Sequence, residues 1–462
     1  MKEEIEYAER MTDSDALLWT IEDDPLLRTN ILVVWILDRS PDRERLQSKI
    51  DGATRLIPRL RHRALETPFS VAPPRWEIDP NFDIDYHVRW LRAPGDGSTR
   101  ALLDMVQTTV TQQFDRARPL WELSVIEGLS EGRAALVLKL HHSVSDGVGM
   151  VRMTESLVDR ERDPELKPRL LPEPSPPRNW TARGLLFDGL KYDRRRRLDR
   201  ARSIGSTLAG AALKPFDSAA ELSRATASVV RMLRPVREPL SPLLRGRSIS
   251  VHFDTMHLSL DELKGAAKRA KATVNDAFVA ALCGALQRYH SHHGAPVDAL
   301  RMTMPVDIRD GEDANRAGNQ FTPARFAVPL SIDDPVERMQ AIGQLVQRER
   351  AEPALRLTEP VASVLNRLPS GVTKELFGSM LKGIDFVSTN VRGPKFGVYA
   401  AGARMESIFG FGPLSGSAIN VALFSYAGQL SVGLSSDRAA VPDPDFLLEC
   451  MEKGFSEVLT VA

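Results

Sequence analysis

The segment Leu136–Met150, LVLKLHHSVSDGVGM, gathers the residues best suited to moving protons: His141 and His142, with Asp146-Gly147 following shortly after. The approach to the histidines is apolar on both faces except for Lys139, as in a strand inside a covered sheet. Alternation places Leu136, Leu138, Leu140 and His142 on one side and Ala135, Val137, Lys139 and His141 on the other. While the strand persists, the adjacent imidazoles cannot share one task; one faces a cavity and the other the interior. Gly147 permits a sharp turn, and Asp146 can cap a following helix or hold a cation. A plainer reading is a strand end with two satisfied histidines and a helix cap. If one imidazole is reactive, a lone base of pKa about 6.5 suits transfer from a thioester, which is already activated and needs no enzyme nucleophile. Such a base takes the proton of an incoming hydroxyl and returns it to the departing thiolate, contributing about 10²–10⁴ in rate. The remainder must come from positioning and oxyanion donors.

Other candidates fit less well. His141 and His142 point apart and Asp146 adds only a third ligand, so no metal is expected there. Gly128-Leu129-Ser130-Glu131-Gly132 matches G-x-S-x-G, but a second strand follows where a nucleophile elbow needs a helix, so it reads as a hairpin turn. His290-Ser291-His292-His293 follows a helix and precedes glycine, and reads as an exposed loop. No phosphate-binding loop or dinucleotide fingerprint is present.

The elements that must hold the histidines alternate between strand and helix. Ile31–Leu37 is a buried strand, Arg43–Leu60 has helical spacing and ends near Pro58, and Gly149–Val158 returns to a helical period. Trp121–Ile126, a polar turn over 127–133 and Ala134–Leu140 form a β-hairpin. Beyond residue 248, Leu260–Lys271, Val274–His290 and Val336–Arg350 read as helices and Arg301–Ile308 as a strand. Ala418–Ser425 and Gln429–Gly433 form a hairpin about Tyr426-Ala427-Gly428. This alternation implies an α/β layer architecture. Prolines crowd ELKPRLLPEPSPP (165–177), which is therefore a stiff linker. The expected division is 1–165, a connection over 166–248, and 249–462, two α/β halves of similar size. Within the connection, KYDRRRRLDRAR (191–202) is either a solvated helix face or a basic surface for anionic lipid headgroups. Stacking aromatics are not interleaved with these cations, which disfavours nucleic acid.

Bulk properties narrow the classes further. In 462 residues, 61 basic side chains balance 61 acidic ones, so no global field draws the chain to nucleic acid. Hydrophobic residues at 42% exclude a disordered chain. Cys283 and Cys450, two thiols far apart, make no disulfide framework and point to a reducing compartment. Acidic residues interrupt the N-terminal stretch, which is not a secretory signal, and the apolar runs are strand-sized, well short of the ~20 residues of a membrane span. A cytoplasmic protein is expected, with peripheral contact at the inner membrane face or lipid droplets.

His141-His142-Ser143-Val144-Ser145-Asp146-Gly147 matches the HHxxxDG motif of coenzyme-A-dependent acyltransferases and peptide-synthetase condensation domains. The whole chain resembles the bacterial wax ester synthase/diacylglycerol acyltransferase family. Further segments carry the resemblance in order: MTDSDALLW (11–19), IPRLRHR (57–63), PRWEIDPNFDIDYH (74–87), RPLWE (118–122), VND (274–276), MPVDIR (304–309), Gly318–Gln320, STNVRGP (388–394) and NVALFSYAGQLSVG (420–433). The resemblance implies two chloramphenicol-acetyltransferase-like α/β sandwich halves with a reaction channel between them. It implies transfer of a long fatty acyl group from acyl-CoA, a substrate and not a cofactor, to diacylglycerol, a long-chain alcohol, or both. On this sequence His142 would be the general base, with no acyl-enzyme, and His141 would support the loop. Asp146 would be structural, paired with Arg59, Arg61 or Arg63, and Gly147 would leave room for substrates. Asn275 would hold or polarise the reacting groups, or serve as a helix N-cap. Pro119, Leu120, Trp121 and Asn390 would contact substrate.

Two departures stand out. Arg392 replaces the first proline of the family's Asn-Val-Pro-Gly-Pro, relaxing the backbone and adding a charge. The DFGWG motif of plant relatives is absent, with Gly410–Leu414 its nearest echo. A condensation-type catalyst of amide or ester formation, and a catalytically weak lipid-binding paralogue, are the alternative readings.

Overall fold

The computed structural model describes residues 7–145, 153–165, 171–213, 236, 238–307, 321–352, 355 and 358–461. In chain order the first half holds α1 (Asp13–Ile21), β1 (Asn30–Leu37), α2 (Arg43–Leu56), β2 (His62–Leu65) and β3 (Arg75–Ile78). It continues with α3 (Ile84–His87), β4 (Val88–Arg92), α4 (Thr99–Val110), β5 (Trp121–Glu127) and β6 (Ala134–His141). The connection contributes α5 (Ala182–Leu213). Then come β7 (Val251–Ser259), α6 (Leu260–Arg269), α7 (Val274–His292), β8 (Ala299–Asp307), β9 (Phe321–Pro329) and α8 (Pro335–Arg350). Next are α9 (Thr358–Leu365), α10 (Ser370–Lys382), β10 (Phe386–Arg392), β11 (Tyr399–Ala400) and β12 (Ala403–Phe411). The chain finishes with β13 (Ile419–Tyr426), β14 (Gln429–Asp437) and α11 (Pro444–Leu459).

Two six-stranded mixed sheets result, ordered β11-β12-β1-β6-β5-β4 and β7-β14-β13-β10-β8-β9. The expected hairpins form: Trp121 faces Leu140 across β5–β6, and Tyr426 faces Gln429 across β13–β14. The turn over 128–132 closes the first hairpin with Gly128, Glu131 and Gly132 at positive φ, so the G-x-S-x-G match is a hairpin turn. The division at 249 is not clean, however. β11 and β12 come from the C-terminal part of the chain yet join the first sheet, β12 pairing with β1, Phe411 opposite Leu32, and β11 pairing with β12 at the edge. Hydrophobic pattern alone carries no information about which sheet an alternating strand joins, so the crossover was not legible.

The strand that ends in the histidines is covered on both faces. Leu136, Leu138 and Leu140 enter a core with Trp19, Trp35 and Leu123, while Ala135 and Val137 pack with Leu32, Val34 and Phe409 on the opposite side. Each leucine removed from water contributes about 1.5–3 kcal/mol, so β6 has little freedom to slide. The second core also joins the halves: Phe253 of β7 stacks on Phe411 of β12 at 4.2 Å, and Arg100 of α4 donates to Asp254 at 2.8 Å.

The sheets meet closely where β12 crosses β14. A Cβ placed on Gly433 would lie 2.1 Å from the Gly410 carbonyl oxygen, and one on Gly410 would lie 2.3 Å from the Phe424 ring. Only glycine admits that approach. Gly433→Ala should therefore destabilise the protein by roughly 1–3 kcal/mol, the cost of overpacking a close contact. A lowered thermal midpoint is expected, while Gly371→Ala, in α10 with nothing near its Cβ, should hold or raise it.

Candidate active site

β6 ends at His141, and the turn begins at His142. The backbone there is held from both neighbouring strands. His141 N–H donates to the Leu120 carbonyl (3.1 Å), beside β5, and His142 N–H donates to the Thr29 carbonyl (3.1 Å), beside β1. The two N–H groups therefore point to opposite neighbours of the strand end.

His141 is buried, with an edge-on Trp19 ring at 5.7 Å and Phe114 at 6.4 Å. Both ring nitrogens are engaged. Ser143 N–H donates to Nδ1 (3.1 Å), and the Ser143 hydroxyl lies 2.6 Å from the same atom. A backbone N–H can only donate, which assigns the ring hydrogen to Nε2, 2.8 Å from Glu22 Oε2. The other Glu22 oxygen accepts from Thr29 N–H and Oγ1–H, each at 2.8 Å. Burial alone would raise the Glu22 carboxyl, but the His141 ring and the Thr29 donors bring it down to about 2.

His142 is half-buried. Burial, and secondarily the neighbouring His141 ring, push its pKa down to about 4, so the ring is neutral at physiological pH. Lys139, two residues before His141, is buried over the Phe114 ring, 4.3 Å from its centroid, and burial depresses its pKa as well.

The remaining expected residues fall into three groups. Asp146 and Gly147 lie outside the described residues, as do 149–152 of the following helical stretch. Of the arginines expected to partner Asp146, Arg61 pairs with Asp51 (2.9 Å), and Arg59 is buried, donating to the Ala8 carbonyl with its guanidinium over Trp76. Pro119, Leu120 and Trp121 are buried beneath the histidine turn. The Trp121 indole stacks on His87 (4.5 Å) and donates to the Leu60 carbonyl, so these side chains belong to the core, and their link to the site is the Leu120 carbonyl.

Asn275 sits at the start of α7 in the second half. It is not the N-cap: Thr273 is, in a capping box with Asp276. That leaves the Asn275 amide clear of capping, donating to Met304 Sδ at 3.4 Å. Asn390 is exposed on β10, which runs on through Arg392. His290 corrects the expectation of an exposed loop: it is buried inside α7, bonded to the Ser241 hydroxyl and the Leu286 carbonyl. Among the described residues no cluster of side chains is arranged to hold a metal ion. A groove of about 890 Å³ along β7, α6 and α11, with His257, Arg269 and Phe455 in its walls, draws no residue from the histidine turn. Both cysteines are free and buried.

Sequence reasoning missed Glu22, Thr29 and Ser143. Glu22 stands in an acidic run, Glu22-Asp23-Asp24, that has the composition of a solvated helix end.

These environments set a pH dependence. Burial holds His142 and His62 at about 4, below the ordinary 6.5. As pH falls from 6.5 toward 4 the unfolded chain binds more protons than the folded one, so stability declines through that window. Glu22 acts lower, its contribution complete above 4.5 and lost as pH falls toward about 2. Thermal midpoints measured across the upper window should fall with pH, and His142→Asn should flatten part of that fall.

The chain matches the wax ester synthase/diacylglycerol acyltransferase catalytic domain over residues 11–278 and the C-terminal domain of the same family over 317–458. It is 35% identical over 457 residues to a putative diacylglycerol O-acyltransferase of Mycobacterium tuberculosis, covering 97% of this chain and 91% of that protein. A probable diacylglycerol O-acyltransferase of the same organism is 30% identical over 407 residues, 84% of each chain. Among solved structures, the wax ester synthase/diacylglycerol acyltransferase from Marinobacter aquaeolei VT8 superposes with a TM-score of 0.64 at 21% identity, over 98% of both chains. The first condensation domain of the calcium-dependent antibiotic synthetase does so with a TM-score of 0.62 at 16% identity, over 98% of this chain and 95% of that one. These structures share the two-domain α/β fold. With both family domains matched in order along a chain that presents the paired histidines at a buried strand end, this protein is an acyltransferase belonging to the wax ester synthase/diacylglycerol acyltransferase family.

Proposed function

We propose that this enzyme moves a long-chain fatty acyl group from acyl-CoA to the hydroxyl of diacylglycerol, a long-chain alcohol, or both, with His142 as general base and no acyl-enzyme. The observation that carries the assignment of the base is the unequal state of the two rings. Both His141 nitrogens are engaged, by Glu22 and Ser143, which holds that ring in one tautomer, and burial keeps the His142 ring neutral at working pH. The neutral His142 ring accepts the acceptor's hydroxyl proton as its oxygen attacks the thioester carbonyl. Collapse of the tetrahedral intermediate breaks the carbon–sulfur bond, and the imidazolium returns the proton to the thiolate. The Glu22 carboxylate favours a charge on His142 and so opposes the cost of forming that imidazolium in a buried site. In this reading Asn275, whose amide donates to the sulfur of Met304 and does not cap its own helix, polarises a reacting group from the second half.

Contact with a lipid surface belongs to the same reading. Among the described residues no helix is long and apolar enough to cross a membrane. α5 instead lies against the first half: Asp188 pairs with Arg10 at 2.5 Å, Arg196 pairs with Asp13, and a Cβ on Gly189 would meet Thr67 at 2.5 Å. The arginine run is thus divided. Arg196 and Arg197 are held in ion pairs, while Lys191, Arg194 and Arg195 are exposed. Beside them Phe187 is 70% exposed, Leu190 is 47% exposed, and Phe69 of the neighbouring loop is 88% exposed. Apolar side chains flanked by exposed cations suit an anionic headgroup region.

Two experiments test these statements. With palmitoyl-CoA and either hexadecanol or diolein, His142→Ala should lose about 10²–10⁴ in kcat; turnover equal to the unaltered protein removes the base. Replacing Lys191, Arg194 and Arg195 together by Glu, which spares the Arg196–Asp13 pair, should weaken sedimentation with anionic vesicles, most strongly at low salt. Unchanged sedimentation makes these cations ordinary solvated surface.

A further inference from the structure

The residue with the most consequential contacts near the histidines is one that no motif marks. Glu22 is the C-cap of α1, only 6% exposed, and the last turn of that helix has no basic residue. A carboxylate at a helix C-terminus meets the negative end of the dipole, and burial adds a desolvation cost. Helix stability therefore does not account for glutamate at this position. Its partners do. Thr29 N–H, Thr29 Oγ1–H and His141 Nε2–H converge on its two oxygens, all at 2.8 Å. The Thr29 carbonyl in turn accepts the His142 N–H at 3.1 Å. One carboxylate thus fixes the His141 ring and, through Thr29, the peptide that carries His142.

We propose that Glu22 is a positioning residue for acyl transfer, its carboxylate locking the His141 tautomer and the Thr29 peptide so that the His142 ring is held in one orientation. This rests on the reading of His142 as the base. The charge state is specific to the role. Three donors need a group with acceptors only, and an amide has a single oxygen. In Glu22→Gln the oxygen can satisfy Thr29, but the amide NH₂ then faces His141 Nε2. The ring must move its hydrogen to Nδ1, which meets the Ser143 N–H already pointing at it. The isosteric neutral variant thereby transfers the mismatch to the turn that contains His142.

α1 is itself anchored across the halves, which gives Glu22 a rigid base. Leu17 and Ile21 pack with Ala362 and Leu365 of α9, and Glu359 accepts from the Asp13 and Ser14 N–H groups at the helix start. Just beyond Glu22, Asp23 and Asp24 pair with Lys374 and Lys382 of α10.

The experiment compares Glu22→Gln, Glu22→Asp and His142→Ala in the full-length protein, with kcat, KM for palmitoyl-CoA and thermal midpoint measured for each. Glu22→Gln should lower kcat on the order of 10²-fold, the effect of misplacing a catalytic group, with KM unchanged. Glu22→Asp, which keeps an acceptor-only anion, should retain more kcat than Gln despite its shorter reach. Proton NMR supplies a readout independent of turnover. A hydrogen-bonded His141 Nε2–H resonance should be present in the unaltered protein and in His142→Ala, and absent in Glu22→Gln and His141→Gln. Turnover of Glu22→Gln equal to the unaltered enzyme, or better than that of Glu22→Asp, overturns the positioning role, as does persistence of the resonance in Glu22→Gln. Full activity of His142→Ala overturns the base instead, while the resonance still reports whether Glu22 holds His141.

Discussion

The site depends on how a strand hands its backbone hydrogen bonds to its two neighbours. At the end of β6 consecutive N–H groups point opposite ways, His141 to the Leu120 carbonyl and His142 to the Thr29 carbonyl. That alternation, enforced by burial of the strand between two cores, sends adjacent identical side chains into different surroundings. One imidazole becomes part of a closed hydrogen-bond network. The other is left at the turn with a proton affinity lowered by its surroundings. The single-base chemistry proposed for His142 fits a backbone that keeps the two rings from acting as a pair.

The base proposed at His142 meets an electrostatic difficulty that the same network answers. Desolvation keeps His142 neutral and ready to accept a proton, yet the imidazolium it becomes is disfavoured by that same desolvation. An anion one ring away changes the balance without touching the reacting atoms. Glu22 remains ionised in the interior because three donors surround it, and its charge favours the protonated form of His142. The arrangement separates two requirements: His141 and Ser143 consume the short-range hydrogen-bonding, and the carboxylate acts through space.

Much of the first half was legible because local chemistry there coincides with the fold. The β5–β6 hairpin followed from a Gly-bearing turn between apolar runs, and the alternation of residues 135–138 and 140 matched the two cores on either side of β6. Lys139 and His141 instead meet Phe114 and Trp19, rings of the core that holds the even-numbered leucines. Legibility failed where a long-range contact decides. Glu22 has the composition of a solvated acid, and only the return of β6 beside Thr29 makes it a buried partner. His290 looked like part of a polar loop because its neighbours are polar, but Ser241, 49 residues earlier, satisfies its ring within α7. Trp121 carried a motif signal and is a core residue, stacked on His87 and tied to Leu60. Such a signal records that a residue is required, without separating contact with substrate from support of the residue beside it.

The crossing of β12 into the first sheet gives the halves a fixed relation that a flexible connection could not provide. β12 pairs with β1 along most of its length, and β1 pairs in turn with β6, so Gly410 and Phe411 belong to the same sheet as His141. On its other side β12 approaches β14 so closely that Gly433 tolerates no side chain. At the opposite edge, α1 is packed on α9 and ion-paired to α10, and its last residues lead directly to Glu22. The base proposed at His142 in the first half and the amide proposed at Asn275 in the second can serve one reaction only if the halves do not drift, because misplacement by an ångström costs on the order of 10² in rate. Two independent ties, a shared sheet and an anchored helix, restrain that drift, and the helix that provides one of them ends at the carboxylate that holds Thr29 and His141.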